Sequence, residues 1–150
     1  MHQWFSVFYL RRSVIGAANR WETVLAWLVF LGYATVIFYL SSQSEPPRLP
    51  FPVFPGLDKI VHACEFGLFG LVVFWAVGCS FQTLSVRSKG IVSVVISVLY
   101  GVSDEIHQTF VPMRLGDPFD VLADAAGAVG VLIAFRIIYG SRCDGPFQVR

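Results

Sequence analysis

The segment from Val24 to Leu40 contains no charged residue and is almost entirely apolar. Its length is close to the roughly 20 residues that an α-helix needs to cross a hydrocarbon layer about 30 Å thick. Further apolar runs of helical length follow in the chain, and their polar residues lie mainly at one end. The sequence therefore predicts four transmembrane helices, over about residues 24–40, 60–81, 91–106 and 119–139.

The composition also favours a membrane protein. Charged residues make up 14% of the chain, against about 25% in typical soluble domains. A soluble helical bundle would show a charged outer stripe and a β-barrel would show alternating segments of about ten residues, and the apolar runs show neither pattern. The net charge of +1 argues against nucleic acid as a partner. We expect an all-α, four-helix transmembrane bundle with membrane lipids as its surroundings.

The distribution of Lys and Arg predicts how the bundle is oriented, because basic residues favour the cytoplasmic side of short loops. Both termini are then cytoplasmic, the first and third loops are external, and the protein is a multi-pass protein of the plasma (inner) membrane. Residues 1–21 form a cytoplasmic or interfacial segment, residues 22–140 the membrane domain and residues 141–150 a cytoplasmic tail. Most of the eleven basic residues lie on the predicted cytoplasmic side, namely Arg11, Arg12, Arg20, Arg87, Lys89, Arg136, Arg142 and Arg150.

Polar side chains gather at the opposite end of the predicted bundle, and we call this set the polar layer. They end the first and third helices and begin the second and fourth, so that alternating helices bring them to the external face. His62, Glu105 and Asp124 are not explained by helix capping, and we assign them as candidate catalytic residues. The candidate binding residues are Asp58, Lys59, Glu65, Asp104, Gln108, Arg114 and Asp120.

Several of these residues also have simpler structural explanations. Asp117 precedes Pro118, which is the pattern of an N-cap and a first helical proline, with Asp120 as an acid in the first turn. Asp58 fits a cap of the second helix in the same way. Lys59 fits a side chain that extends to the lipid headgroups. Helix capping and headgroup contact therefore compete with a functional role at these positions.

The remaining polar residues leave two interpretations open, a functional site or a purely structural network. Buried carboxylates such as Glu105 and Asp124 require partners in either case. Arg114 is the expected counter-charge, either for these acids or for a bound phosphate or carboxylate. His107 fits a surface residue that faces the headgroups.

A metal site is a further possibility that the sequence does not specify. His62 together with Glu65, Asp104, Glu105 or His107 offers ligands for zinc or a harder divalent cation. The spacing matches no closed zinc motif, so the sequence assigns no metal ligands and no cofactor.

Taken together, the motifs of the four segments resemble the VanZ-like family of small bacterial membrane proteins over about residues 36–140. The resemblance implies a cell-envelope protein, and the namesake of the family is associated with low-level resistance to the glycopeptide teicoplanin. Asp124 stands where the family pattern often has Asn. The motifs are Ser41-Ser42-Gln43, Asp58-Lys59-x-x-His62, Asp104-Glu105-x-x-Gln108 with Phe110, Pro112 and Arg114, and Asp117-x-x-Asp120-x-x-x-Asp124-x-x-Gly127-x-x-Gly130.

Three functions compete at this stage. The first is an enzyme that acts on a lipid-linked or peptidoglycan-related envelope component, with His62 as general acid or base, oriented by Asp58 or Glu65, and Arg114 holding an anionic group. The second is a binding or accessory protein that uses the same polar layer without catalysis. The third is a proton or ion conductor, which is disfavoured because polar residues are not expected to continue through the cytoplasmic halves of the helices.

Overall fold

The computed structural model describes residues 18–45 and 54–140, apart from the side chains of residues 135 and 138–140. The elements in these ranges are four helices, α1 (Arg20–Ser41), α2 (Leu57–Ser80), α3 (Val86–Gln108) and α4 (Pro118–Gly140). This confirms the predicted all-α, four-helix fold. The first three are long and apolar enough to cross a membrane, and α4 has 23 residues. The predicted interfacial segment and C-terminal tail lie outside the described residues.

The two helices that begin in the polar layer, α2 and α4, have different N-caps. Asp117 directly precedes α4, and its Oδ1 accepts a hydrogen bond from the Phe119 backbone N–H at 2.9 Å, which confirms the predicted N-cap. The predicted cap at Asp58 is wrong, because α2 already begins at Leu57. The N-cap position of α2 is occupied by Gly56, whose φ of 85° is a left-handed conformation that favours glycine.

Helix α2 is the centre of the bundle. It packs against each of the other helices, and its most extensive contact is with α4. Its buried aromatic residues Phe66 and Phe69 form the core together with side chains of α1 and α3. The other helices are thus positioned chiefly by their fit against α2.

Small residues allow α2 and α4 to approach closely. A Cβ added at Gly127 would overlap the backbone carbonyl of Ala63, and one at Gly70 would lie 3.3 Å from Ala128. Ala126 and Gly130, by contrast, are exposed.

The outer surface of the bundle is apolar. Large hydrophobic side chains are exposed along all four helices, including Leu28 and Leu31 on α1 and Leu99 on α3. In water such a surface would be an aggregation hazard, whereas in a bilayer it is the surface that lipid requires. The exposed residues therefore support the membrane assignment independently of hydropathy.

Candidate functional site

The polar layer exists as a connected set of contacts at one end of the bundle. Ser42 at the end of α1 is 2.9 Å from His107 on α3, measured from Oγ to Nε2. Glu105 on α3 accepts a hydrogen bond from the backbone N–H of Asp117, which precedes α4. Lys59 near the start of α2 contacts carboxylates at the start of α4. The helix ends therefore meet in the way that alternating helices require.

Lys59 forms the most highly connected ion-pair group of this layer. Its Nζ lies 3.0 Å from Asp58 Oδ2, 2.5 Å from Asp117 Oδ2 and 2.6 Å from Asp120 Oδ1. Three carboxylates can use the three hydrogens of one ammonium group. The hydrogen bond from Lys59 lowers the pKa of the Asp117 carboxyl below its ordinary value, so Asp117 is ionised at neutral pH. Lys59 joins α2 to α4 instead of simply extending to headgroups.

One turn deeper, the half-buried His62 pairs with the buried Asp124. His62 Nδ1 lies 3.0 Å from Asp124 Oδ1, and Asp124 is 1% exposed. The second oxygen, Oδ2, has no hydrogen-bond partner among the described residues. A Cβ at position 101 would lie 2.7 Å from this oxygen, so Gly101 leaves the space that Asp124 occupies. His62 Nε2 faces Asp120 Oδ2 at 3.9 Å, which is too long for a hydrogen bond.

A second network lies on α3 and the loop after it. The Gln108 amide nitrogen donates to Asp104 Oδ2 at 2.9 Å and to Glu105 Oε1 at 3.3 Å. Arg114 donates through Nε and Nη2 to Gln108 Oε1, at 3.2 and 2.6 Å. Within the described ranges Arg114 forms no ion pair with a carboxylate, so the prediction that it pairs with these acids is wrong. Gln108 instead connects the guanidinium group to the acids.

Two residues of the layer have positions that the sequence did not indicate. Glu65 is half-buried, with His62, Asp104 and Asp124 as its electrostatic neighbours, and it forms no side-chain hydrogen bond in the described part of the chain. His107 does not simply face headgroups. It is half-buried between Ser42 and the Phe38 ring, whose centroid lies 4.5 Å from that of the imidazole.

Sequence reasoning missed a polar stripe that continues along α3 towards its other end. Lys89, Ser93, Ser97 and Gly101 recur every fourth residue and are all buried. The expectation that polar residues stop in the outer half is therefore wrong for α3. The hydroxyls of Ser93 and Ser97 donate to carbonyls of their own helix, at 2.7 and 2.9 Å, which makes them inexpensive to bury. The four-residue spacing of these positions in the sequence could have indicated that they share one buried face of α3.

Three residues of the layer could hold a metal ion. His62, Glu105 and Asp120 come from three different helices, and one ligand atom of each lies within 4.8 Å of the others. The sequence offered His62 and Glu105 among five possible ligands without a spacing motif, but it did not include Asp120.

A bundle with membrane-length helices, an apolar surface and a buried polar site at one end defines a small multi-span membrane protein. The family model for VanZ/LLP1 matches residues 4–139, and the chain belongs to that family. This confirms the resemblance that the sequence motifs indicated.

The chain is also similar to a curated protein of a fungus. An uncharacterised protein of Schizosaccharomyces pombe is 30% identical over 96 residues, which are 64% of this chain and 54% of the fungal protein. The chain thus spans about half the length of the curated relative that it matches. No solved structure matches it. Because a similar protein occurs in a fungus, these likenesses do not restrict the chain to bacteria.

Proposed function

We propose that this protein acts on a lipid-linked anionic substrate at the external face of the plasma membrane, with His62 as the general acid and base. The observation that supports this most directly is the His62–Asp124 pair, with 3.0 Å between Nδ1 and Oδ1. A histidine oriented by a buried carboxylate is the usual arrangement of a catalytic base. The reaction class is hydrolysis or transfer of the headgroup.

The chemistry follows from the two nitrogens of His62. Asp124 engages Nδ1 and leaves Nε2 directed towards Asp120. In the proposed reaction Nε2 removes a proton from an attacking water or hydroxyl, and the resulting imidazolium is stabilised by Asp124. The oxygen of the leaving group receives that proton as its bond breaks. Glu105, held by the Asp117 N–H at 2.7 Å, is the further acid–base group within reach.

Arg114 is the residue best suited to bind the anionic group of the substrate. Its guanidinium uses Nε and Nη2 on Gln108, and a guanidinium has five N–H donors. The remaining donors can bind a phosphate or carboxylate bidentately. The half-buried position of Arg114 in the loop before α4 places it at the rim of the polar layer, where a lipid headgroup would arrive.

A second candidate function is binding without catalysis. It is favoured by the contacts of Lys59, whose ammonium group already contacts Asp58, Asp117 and Asp120. Such a closed network stabilises the end of a bundle whether or not a substrate is converted. In this case the protein would be an accessory protein that binds a peptidoglycan-related envelope component. The link to teicoplanin resistance, which the family resemblance implies, fits either candidate.

Turnover by purified protein distinguishes the two. We would place the protein in vesicles of phosphatidylglycerol and phosphatidylethanolamine with added polyprenyl diphosphate, and measure the lipid products by mass spectrometry. We expect His62→Gln to reduce turnover by about 100-fold or more, as for loss of a general base. His107→Gln is the matched control, because it changes a histidine of the same layer that contacts Ser42, and it should retain activity. Binding of these lipids without any product would contradict catalysis and support the accessory role.

A further inference from the structure

We propose that His62, Glu105 and Asp120 bind one divalent transition-metal ion, with zinc as the expected metal. Helices α2, α3 and α4 each supply one ligand, and the ligand atoms lie within 4.8 Å of one another. The metal site deepens the proposed function. Its catalytic role rests on that function, whereas binding of the ion can be measured without it. A coordinated His62 Nε2 cannot also remove a proton, so a bound ion would activate the attacking water itself and His62 would hold the ion.

The separations fit a shared ion better than direct hydrogen bonding. Zinc holds imidazole nitrogen and carboxylate oxygen at about 2.0–2.2 Å, so two atoms on one ion are at most about 4.4 Å apart. His62 Nε2 and Asp120 Oδ2 are 3.9 Å apart, beyond hydrogen-bond distance but within that limit. Around a tetrahedral zinc ion the ligand atoms are about 3.3–3.6 Å apart, so the set, whose atoms lie within 4.8 Å of one another, has to close by up to about 1.5 Å through side-chain rotation to hold the ion.

His62 also has the outer contact that metal-binding histidines need. Such a histidine almost always donates its second ring N–H to a carboxylate or carbonyl, which fixes its tautomer. Asp124 Oδ1 occupies that position at 3.0 Å from Nδ1. Asp124 is also the most buried acid of the described layer and keeps one oxygen without a partner. This pairing leaves Nε2 as the coordinating nitrogen.

The two carboxylate ligands are oriented in the same manner. Asp120 Oδ1 is held by Lys59 Nζ at 2.6 Å, while its Oδ2 is the oxygen that faces His62. Glu105 is held by the Asp117 N–H at 2.7 Å and retains acceptor capacity, since a carboxylate has about four lone-pair positions. Each proposed ligand thus has a separate partner outside the site, which an incidental cluster of acids would not require.

The negative charge of the buried carboxylates also supports a bound cation. Asp104, Glu105 and Asp120 are at most 8% exposed, and ionised carboxylates are costly to bury without compensation. Among the described residues, Lys59 is the only Lys or Arg in an ion pair with this group, through Asp120. A divalent cation between Glu105 and Asp120 would compensate the charges that Lys59 does not reach.

The ligand set indicates which metal is preferred. Calcium and magnesium favour sites made of oxygen alone, whereas one imidazole nitrogen with two carboxylates suits zinc, cobalt and manganese. We expect affinity to rise from manganese to cobalt to zinc, following the general order for such ligands. Three protein ligands leave a coordination position for water or a substrate oxygen, as in catalytic zinc sites.

The test is metal binding by the full-length protein in detergent micelles. Protein freed of metal with EDTA would be titrated with zinc chloride, and with cobalt chloride as a probe whose visible absorption reports coordination. We expect one ion per chain. His62→Gln and Asp120→Asn should each weaken zinc binding by at least about 100-fold, and Asp124→Asn by about 10–100-fold, the usual effect of losing an outer partner. His107→Gln should bind zinc like the wild type.

Wild-type protein alone decides the question if a variant fails to fold. Absence of saturable zinc and cobalt binding in folded wild-type protein would overturn the site, as would unchanged zinc affinity in folded His62→Gln. Lipid turnover that persists in metal-free protein would overturn the catalytic role of the ion but leave the proposed function intact. Stoichiometric zinc without turnover would support the site and contradict the proposed catalysis.

Discussion

Asp120 divides its two carboxylate oxygens between different partners. Oδ1 accepts from Lys59 Nζ at 2.6 Å, and Oδ2 lies 3.9 Å from His62 Nε2. Its place in the first turn of α4 also lets it interact favourably with the helix dipole. One residue therefore serves helix initiation, contact between α2 and α4, and the candidate site. Substitution of Asp120 would affect all three. For this reason the His107→Gln variant is a more useful control than a substitution at another acid of this group.

Asp124 provides a sharper test of the requirement for charge. Asp124→Asn should keep the fold, because an amide can still pair with His62 Nδ1 at the position that Oδ1 now occupies, but it should lose most activity, because a neutral amide no longer stabilises the imidazolium. Asp124→Ala should lose function and cost about 1–3 kcal/mol of stability, because it leaves the buried imidazole nitrogen without a partner. Activity and thermal unfolding of the purified variants, together with membrane abundance, would be compared. A stable and fully active Asp124→Asn variant would show that the negative charge is not needed.

At the scale of helices, the site depends on how closely α4 lies against α2. Gly127 meets the backbone of Ala63, one residue after His62. This contact fixes the depth at which Asp124 faces His62, three residues earlier on α4. Gly101 makes the corresponding space on α3. The glycines do not act on a substrate, but they allow the polar side chains of three helices to meet.

Gly127→Ala should therefore destabilise the bundle by about 1–3 kcal/mol, the usual cost of overpacking a tight contact. Its Cβ would overlap the Ala63 carbonyl, and the backbone of α2 has little freedom to move. Gly130→Ala is the matched control on the same helix, because a Cβ there meets nothing within 4 Å, and alanine favours helix. Thermal unfolding in micelles and membrane abundance would be measured. Equal loss in both variants would contradict the close packing of α2 on α4.

At the scale of the whole molecule, the two ends of the bundle differ in character. One end carries the polar layer, with the exposed loop residue Leu115 above it. The other end carries the connection between α2 and α3 and, in the first turn of α3, Arg87. The basic-residue distribution predicts that the first end is external and the second cytoplasmic. The proposed access of lipid-linked substrates to the outer leaflet depends on this orientation.

Single-cysteine labelling in intact cells tests the orientation. In a background with the native cysteines replaced by alanine, Leu115→Cys should react with a membrane-impermeant maleimide. Thr83→Cys, in the loop between α2 and α3, should react only after the membrane is permeabilised. Both positions are exposed, so accessibility within the protein is matched. A cytoplasmic reporter fused after Arg150 should be active. The reverse labelling pattern would place the site at the cytoplasmic face and overturn the proposed substrate side.

The sequence by itself determined the class of the protein, the number of helices and the end at which the polar residues gather. Each of these depends on the free energy of transferring individual residues between water and lipid. These free energies add along the chain and do not depend on which helices are neighbours. The Asp117 cap was predictable for the same reason, since it involves only adjacent residues. The resemblance of motifs gave the family.

Only the tertiary structure decided which of these polar residues contact one another. The sequence offered Arg114 either the acids of the polar layer or a bound anion as partner and left His107 at the surface. In the structure Arg114 contacts Gln108 and His107 contacts Ser42. The sequence assigned Asp58 or Glu65 to orient His62, which is wrong, because His62 Nδ1 pairs with Asp124. These pairings depend on the rotation and depth of each helix, which are set by packing contacts such as Gly127 against Ala63. Such contacts join residues far apart in the chain, so local patterns do not specify them.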